Sequence, residues 1–385
     1  MSAGNANDWS AVPRLMVFEP LIRIENDGGT TPVLAQRVEN LSARAMRVWL
    51  RTDAAFSDGS AVTAADVARS LESAALKVSS ENGSILIESA EATTPVEMRV
   101  AEAYVHRQHG GVELGTGPFA LVEQDDRHMV LRNRTSVPGH VTTVTLNAYD
   151  TAQEALGHLL QGEADVLPQI NPRWVEFLDG ISRLRIAKLS SPLSNGVAFN
   201  TARLSQAERL NLARLLRVRD LRILAFGDGD DCSAPDGELK ERQQVRLPER
   251  KLEISSFPNI ERFGLALGRT LGEHAGDLHI HEPSEFGKFQ DFDLLTFRPR
   301  ASPVTLALEQ WRTGAVLASL VRYSNPRLDA ALNERDWPAA QRELASDPPF
   351  VIVCNIVATA AIDARIRNVA STQFWQSVGS WEVGP

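Results

Sequence analysis

Apolar and polar residues alternate along Met46-Arg47-Val48-Trp49-Leu50, which predicts a half-buried strand with Met46, Val48 and Leu50 on one face. Asp58-Gly59 supplies a turn pair, because glycine tolerates positive φ at no steric cost. A helix is expected from Thr63, whose hydroxyl can accept the amide three residues on. Asp66 can reach back to the free amides of the first turn and sits well against the positive end of the helix dipole. Farther along, Ala155, Leu156, Leu159 and Leu160 fall on one stripe of a helix that opens at Ala152 and gives way at Gly162.

The regular patterns are densest between Lys251 and Phe297. Lys251 to Ser255 alternates as a strand, Phe263, Leu265, Leu267 and Leu271 recur at helical spacing over 259–271, and Asp277 to His281 alternates again. A short helix is expected over 285–289, then a third strand from Phe292 to Phe297. That β-α-β-α-β order implies parallel strands joined by right-handed crossovers. Ligands of such sheets sit beyond the carboxyl ends of the strands. Two ends are therefore candidate sites: Phe199-Asn200-Thr201 and Phe297-Arg298-Pro299-Arg300, with Ser302 just beyond.

Several short segments add a family likeness. The stretch from Met46 through Phe56-Ser57-Asp58-Gly59 to Leu71 resembles the signature block of the family 5 extracellular solute-binding proteins, the dipeptide, oligopeptide and nickel receptors of ABC importers. Further segments resemble that family in its own order: Phe18-Glu19-Pro20-Leu21, the hairpin turn Asp27-Gly28-Gly29, Gly115-Thr116-Gly117-Pro118-Phe119, the paired strands Leu121-Val122-Glu123 and Val130 to Asn133, and Gly162-Glu163-Ala164-Asp165. Val197 to Thr201, Phe292-Asp293-Leu294, Tyr323-Ser324-Asn325-Pro326 and Ala340 to Leu344 follow. Any one of these recurs by chance; their order across most of the chain does not.

The resemblance implies an α/β, bilobal periplasmic-binding-protein-like fold of type II, two mixed-sheet lobes joined by a hinge. Lobe one would hold residues 1–199 and 355–385, with a reduced subdomain at about 30–114, and lobe two residues 200–354. It also implies the function: the solute-binding component of an ABC-type importer, capturing a small peptide-like or anionic solute between closing lobes and docking on the permease subunits as a monomer. The location would be periplasmic or extracytoplasmic. Met1 to Asp8 show no basic stretch followed by an apolar core, so no signal peptide is read there. That favours an alternative, a cytoplasmic ligand-sensing domain related to the sugar-phosphate stress regulators. In peptide-binding relatives an aspartate after the third strand of lobe two pairs with the peptide amine. This chain has Arg298 and Arg300 there, and a guanidinium suits carboxylate or phosphate.

Composition narrows the alternatives. At 385 residues the chain exceeds the ~250–300 at which single cores stop growing, so two lobes are expected. A net charge of -9 with scattered arginines argues against nucleic acid as a direct partner. The nearest basic run, Arg209 to Arg222, reads as the solvated face of a helix whose apolar side is Leu210, Leu212, Leu215 and Leu216. Cys232 and Cys354 could form one disulfide or remain two thiols.

No catalytic constellation stands out: Gly-x-Ser-x-Gly is absent, and Gly115-Thr116-Gly117 lacks the lysine of a phosphate loop. No cofactor and no metal are expected. Asp228-Gly229-Asp230-Asp231 departs from the calcium-loop pattern. His279 and His281, two apart on a strand with Glu282 adjacent, have a permissible metal geometry but read as an exposed strand face. Trp174, Trp311, Trp337, Trp375 and Trp381 read as packing residues.

Overall fold

The computed structural model describes residues 15–384 apart from positions 26, 73, 75, 91–93, 111, 136, 228–231, 242–243 and 372–373. The acidic loop Asp228 to Asp231 therefore lies outside the described residues. The chain divides into two compact units: Met1–Glu25, Gly29–Leu189 and Ala358–Pro385 form one, Asn26–Gly28 and Ser190–Val357 the other. The changeovers at 189/190 and 357/358 fall inside two long strands, Leu184–Phe199 and Phe350–Asp363, whereas the sequence reading placed them at 199/200 and 354/355.

In the first unit, the strand Ala45–Leu50 lies between Ala35–Ser42 and Ser84–Ser89 in a four-stranded antiparallel sheet completed by Leu76–Glu81. Met46 and Val48 are fully buried, as their alternation predicts, in a core shared with Phe56, Val67, Leu71, Ile85 and Ile87. The turn follows its sequence: Gly59 takes φ +84°, and the Asp58 carboxylate accepts the Ser60 amide at 2.9 Å. The helix Ala64–Glu72 starts where Thr63 predicts.

Asp66 does more than close that helix. Its carboxylate accepts the Thr63 amide at 2.9 Å and the Thr63 hydroxyl at 2.5 Å, and Arg107 clamps it with Nε at 2.8 Å and Nη2 at 2.5 Å. Burial alone would raise its pKa. The bonds from Arg107 and Thr63 outweigh that and hold it at about 2. A carboxyl with a folded pKa below its unfolded one stabilises the fold above the unfolded value of ~3.9, and loses that contribution as pH falls toward the folded one. The difference corresponds to roughly 2 kcal/mol. Urea unfolding between pH 5 and pH 2 should show a smaller loss of stability in Asp66→Asn than in the parent chain; parallel pH profiles would mean the clamp carries no such energy.

Gly115-Thr116-Gly117 is a backbone-to-backbone contact. A Cβ on Gly115 would stand 2.0 Å from the Val17 carbonyl oxygen, and one on Gly117 2.5 Å from that of Met16. The Gly117 amide donates to Val17 O at 2.8 Å, and the Thr116 hydroxyl accepts the Glu19 amide at 3.1 Å. Arg134 ties the segment down by donating to the carbonyls of Thr116, Gly117, Ala55 and Phe56. The hairpin that follows pairs Phe119–Gln124 with His128–Asn133, as expected. The helix Ala152–Gln161 is capped by the Thr151 hydroxyl and ends on Gly162 at φ +79°.

The second unit centres on the strand Leu252–Ser256, flanked by Ala275–Ile280 and Leu294–Phe297, both parallel to it. The helix Glu261–Leu271 packs Phe263, Leu267 and Leu271 onto this sheet and leaves Leu265 outside. A single 3-10 turn at Pro283–Glu285 stands in place of the expected 285–289 helix. The basic run needs a larger correction. It forms two helices, Gln206–Leu216 and Arg219–Phe226, and is not simply a solvated face. Arg209 is buried, donating to the carbonyls of Leu204 and Pro348 and pairing with Asp347. Arg222 is buried against Glu238 at 2.5 Å. Loop carbonyls and carboxylates from distant sequence draw both guanidiniums inward, which helical spacing cannot announce. Of the run's arginines only Arg214, Arg217 and Arg219 are exposed to water.

Cys232 and Cys354 are joined as a disulfide, Cα to Cα 5.4 Å, across a sequence separation of 122 residues. Trp311, buried, stacks on Phe350 with ring centroids 4.4 Å apart, and Trp381 is buried with its indole N–H donating to the Ser377 hydroxyl, so both are packing residues. Among the described residues no helix is long and apolar enough to cross a membrane.

Candidate functional site

The two strand ends read from the sequence do not form one site. Leu184–Phe199 runs antiparallel to Leu294–Phe297, with Gly196 opposite Phe297 and Phe199 opposite Leu294. Their carboxyl ends thus lie at opposite ends of the ladder, separated by about 10 Å at ~3.3 Å per residue. The sequence pattern predicted three parallel strands and said nothing of the direction of the fourth.

Phe199 and Asn200 are structural. Phe199 is wholly buried in the core of the second unit. Asn200 donates to the carbonyls of Phe292 at 2.9 Å and Gln290 at 3.1 Å and accepts the Ala202 amide at 3.2 Å, so its amide is occupied in holding the loop ahead of the 294–297 strand. Beside it, buried Asp293 takes Arg250 at 2.6 and 2.7 Å, Arg203 Nε at 2.9 Å and the Glu253 amide at 2.9 Å. Burial alone would raise the pKa of Asp293; the bonds from Arg250, the Glu253 amide and Arg203 bring it below the usual carboxylate value. This end of the sheet is a closed ionic knot.

The other end is different. Arg298 follows the last residue of the 294–297 strand, and its Nε donates to Asn195 Oδ1 at 3.2 Å. Among the described residues it has no carboxylate partner. Its side chain reaches water, yet the surrounding protein removes enough hydration to lower the guanidinium pKa from its ordinary value. At any physiological pH it remains a cation. Asn195, which the sequence reading did not single out, aims it. That residue is buried, and its Nδ2 lies 3.8 Å from Cys354 Sγ. Next to it buried Ser194 donates its hydroxyl to Asn355 Oδ1 at 3.0 Å, and its amide donates to Pro299 O at 3.0 Å. Nothing in the local sequence of 194–195 marks these residues; they become visible once the antiparallel partner of 298–300 is known.

Arg300 and Ser302 are held more tightly. The Arg300 amide donates to Gln310 Oε1 at 3.0 Å and its carbonyl accepts from Gln310 Nε2 at 2.9 Å, while the Ser302 amide donates to Pro192 O at 3.2 Å. Glu309, on the helix Val304–Glu309, is bound by Arg312 at 2.6 and 2.8 Å. A shallow recess of about 340 Å³ in the first unit is lined by Arg183, Asp363 and Arg365 among others; its arginines are matched by Asp363 and Asp165, so it offers no net charge to a ligand.

No family model matches the chain, and no curated protein matches it. Solved structures do. A nickel ABC transporter protein from Bacillus halodurans is similar at TM-score 0.73 and 16% identity, over 97% of this chain and 95% of that one. The substrate binding protein CtaP of an ABC transporter from Listeria monocytogenes gives TM-score 0.72 and 16% identity over 100% and 96%. AgaA from A. tumefaciens R10, solved with agropinic acid, gives 0.70 and 14% over 97% and 94%. With likeness running through nearly the full length of each chain at such low identity, what is shared is the fold: this protein has the α/β architecture of the periplasmic-binding-protein type.

Proposed function

We propose that this chain is the solute-binding component of an ABC-type importer and that an acidic group of its solute pairs with Arg298. The observation that carries the reading is a solvent-accessible guanidinium with no carboxylate partner, whose only bond among the described residues leaves both terminal nitrogens available, on a fold that serves solute binding in the structures it resembles. A planar pair of N–H donors of this kind binds a carboxylate in two-pronged fashion. One of the similar structures holds an acid, agropinic acid. The Cys232–Cys354 disulfide fits an oxidising compartment outside the cytoplasm. The role proposed is capture and delivery to permease subunits by a monomer, without catalysis. The regulator alternative draws no support from these relatives.

Peptides, sugar acids, opines and metal chelates can be screened by thermal shift, since binding to the folded form alone must raise its midpoint. For the ligand found, Arg298→Ala should weaken calorimetric affinity by about 10- to 150-fold, equivalent to ~1.5–3 kcal/mol. Arg300→Ala, whose backbone is held by Gln310, should change it less. A ligand without any anionic group, bound equally well by Arg298→Ala, would overturn the acid-anchor reading; no stabilising solute in any class would overturn the receptor reading.

A further inference from the structure

The exposed edge of the second unit's sheet carries a cluster that the site above does not use. Leu252, Ile254 and Ser256 point from their strand toward the helix Glu261–Leu271: Ile254 and Leu252 lie in the core with Phe263 and Leu267, and a Cβ on Gly264 would meet Leu278 and Ser256 side chains. By alternation, Glu253 on that strand and Asp277 and His279 on the neighbouring parallel strand share the opposite face. One ligand-capable atom from each of the three lies within 4.8 Å of the others. In the sequence the acid adjacent to the histidine pair is Glu282; the fold instead sets His279 against Glu253, 26 residues away.

We propose that Glu253, Asp277 and His279 bind a divalent transition ion, with zinc as the favoured occupant. His279 Nε2 and Glu253 Oε2 stand 3.3 Å apart, the edge of a tetrahedron whose arms are about 2.0 Å, the length of zinc bonds to nitrogen and oxygen. Two of the ligands are already in place relative to one another. The Glu253 carboxylate is seated by the Asp277 amide at 3.2 Å and lies over Gly276, where a Cβ would come within 2.6 Å of Oε1. Only glycine leaves that space. Asp277, exposed on the edge strand with a ligand atom within 4.8 Å of both, supplies the third ligand, leaving the fourth position to water. One imidazole with two carboxylates selects an ion of intermediate softness over calcium or magnesium, which prefer all-oxygen shells. His281, next on the same face, is engaged elsewhere: its ring stacks on Phe289 at 3.8 Å and its Nε2 meets the Ser255 hydroxyl at 3.1 Å. The inference is independent of the solute reading.

The test uses the full chain, stripped with a chelator and titrated with zinc alone by calorimetry. One ion per chain is expected. His279→Ala and Glu253→Gln should each weaken binding at least tenfold, while His281→Ala leaves it unchanged. His279 is half exposed, so its removal should leave the metal-free unfolding midpoint in place and the comparison interpretable. Absence of zinc binding, binding undiminished in His279→Ala, or equal binding of calcium would each overturn the assignment.

Discussion

Replacing Gly115 with alanine is expected to destabilise the first unit by about 3–5 kcal/mol, at the upper end of what single substitutions do. The added methyl would lie 2.0 Å from the Val17 carbonyl oxygen and 2.6 Å from Val17 Cγ1, against backbone that has no rotamer to change. Relief requires the 16–19 segment to move away, and that breaks the Gly117 amide to Val17 bond and the Glu19 amide to Thr116 bond together. Met16 and Val17, both buried in a core with Phe119 and Leu131, would be pulled out of register. Gly157→Ala is the matched control. It sits in the helix Ala152–Gln161 with nothing within 4 Å of its added Cβ, and should be neutral or stabilising by up to ~1 kcal/mol. Denaturant midpoints for the two variants measure the difference; a Gly115→Ala chain as stable as the parent would show that the close approach is not needed.

Asp293→Ala is expected to cost the second unit about 3 kcal/mol or more, the usual scale for removing one partner of a buried ion pair. Asp293 is wholly buried and gathers Arg203, Arg250 and the Glu253 amide. Its loss leaves two guanidiniums without a counter-charge and the strand Leu252–Ser256 without a bond at its start. Both arginine side chains are partly exposed, at 36% and 44%, so they can recover some hydration, which keeps the expected cost near the lower end of the range. Chemical unfolding of Asp293→Ala beside Arg250→Ala checks the reasoning. The aspartate variant should be the worse, since it strands two charges where Arg250→Ala leaves Arg203 still bound; the reverse order would place the energy in the Arg250 stem instead.

How far the sequence reached depends on whether a feature is local. The strand at Met46, the turn at Gly59, the helix start at Thr63 and the Gly162 stop are set within a few residues, by alternation, by a conformation open to glycine, or by a side chain reaching its own first turn. Each stands in the structure as read. The parallel arrangement of 252–256, 275–280 and 294–297 was legible for the same reason, because crossover connections leave strands little choice of direction, even though the second carries a 3-10 turn in place of its helix.

Tertiary structure decided the rest. Whether Phe199 and Arg298 lie together depends on the direction in which two strands remote in sequence pair, and no local pattern encodes it; the antiparallel ladder puts Asn200 into a closed loop and leaves Arg298 with Asn195. The inward turn of Arg209 and Arg222, the union of Cys232 with Cys354 and the meeting of Glu253 with His279 are likewise contacts between remote segments. The sequence by itself determined which segments would be strands and helices, since burial on one face is a property of spacing. Which charged groups are matched and which are left without a counter-charge was decided only when the chain folded, since charge balance is a property of neighbours in space.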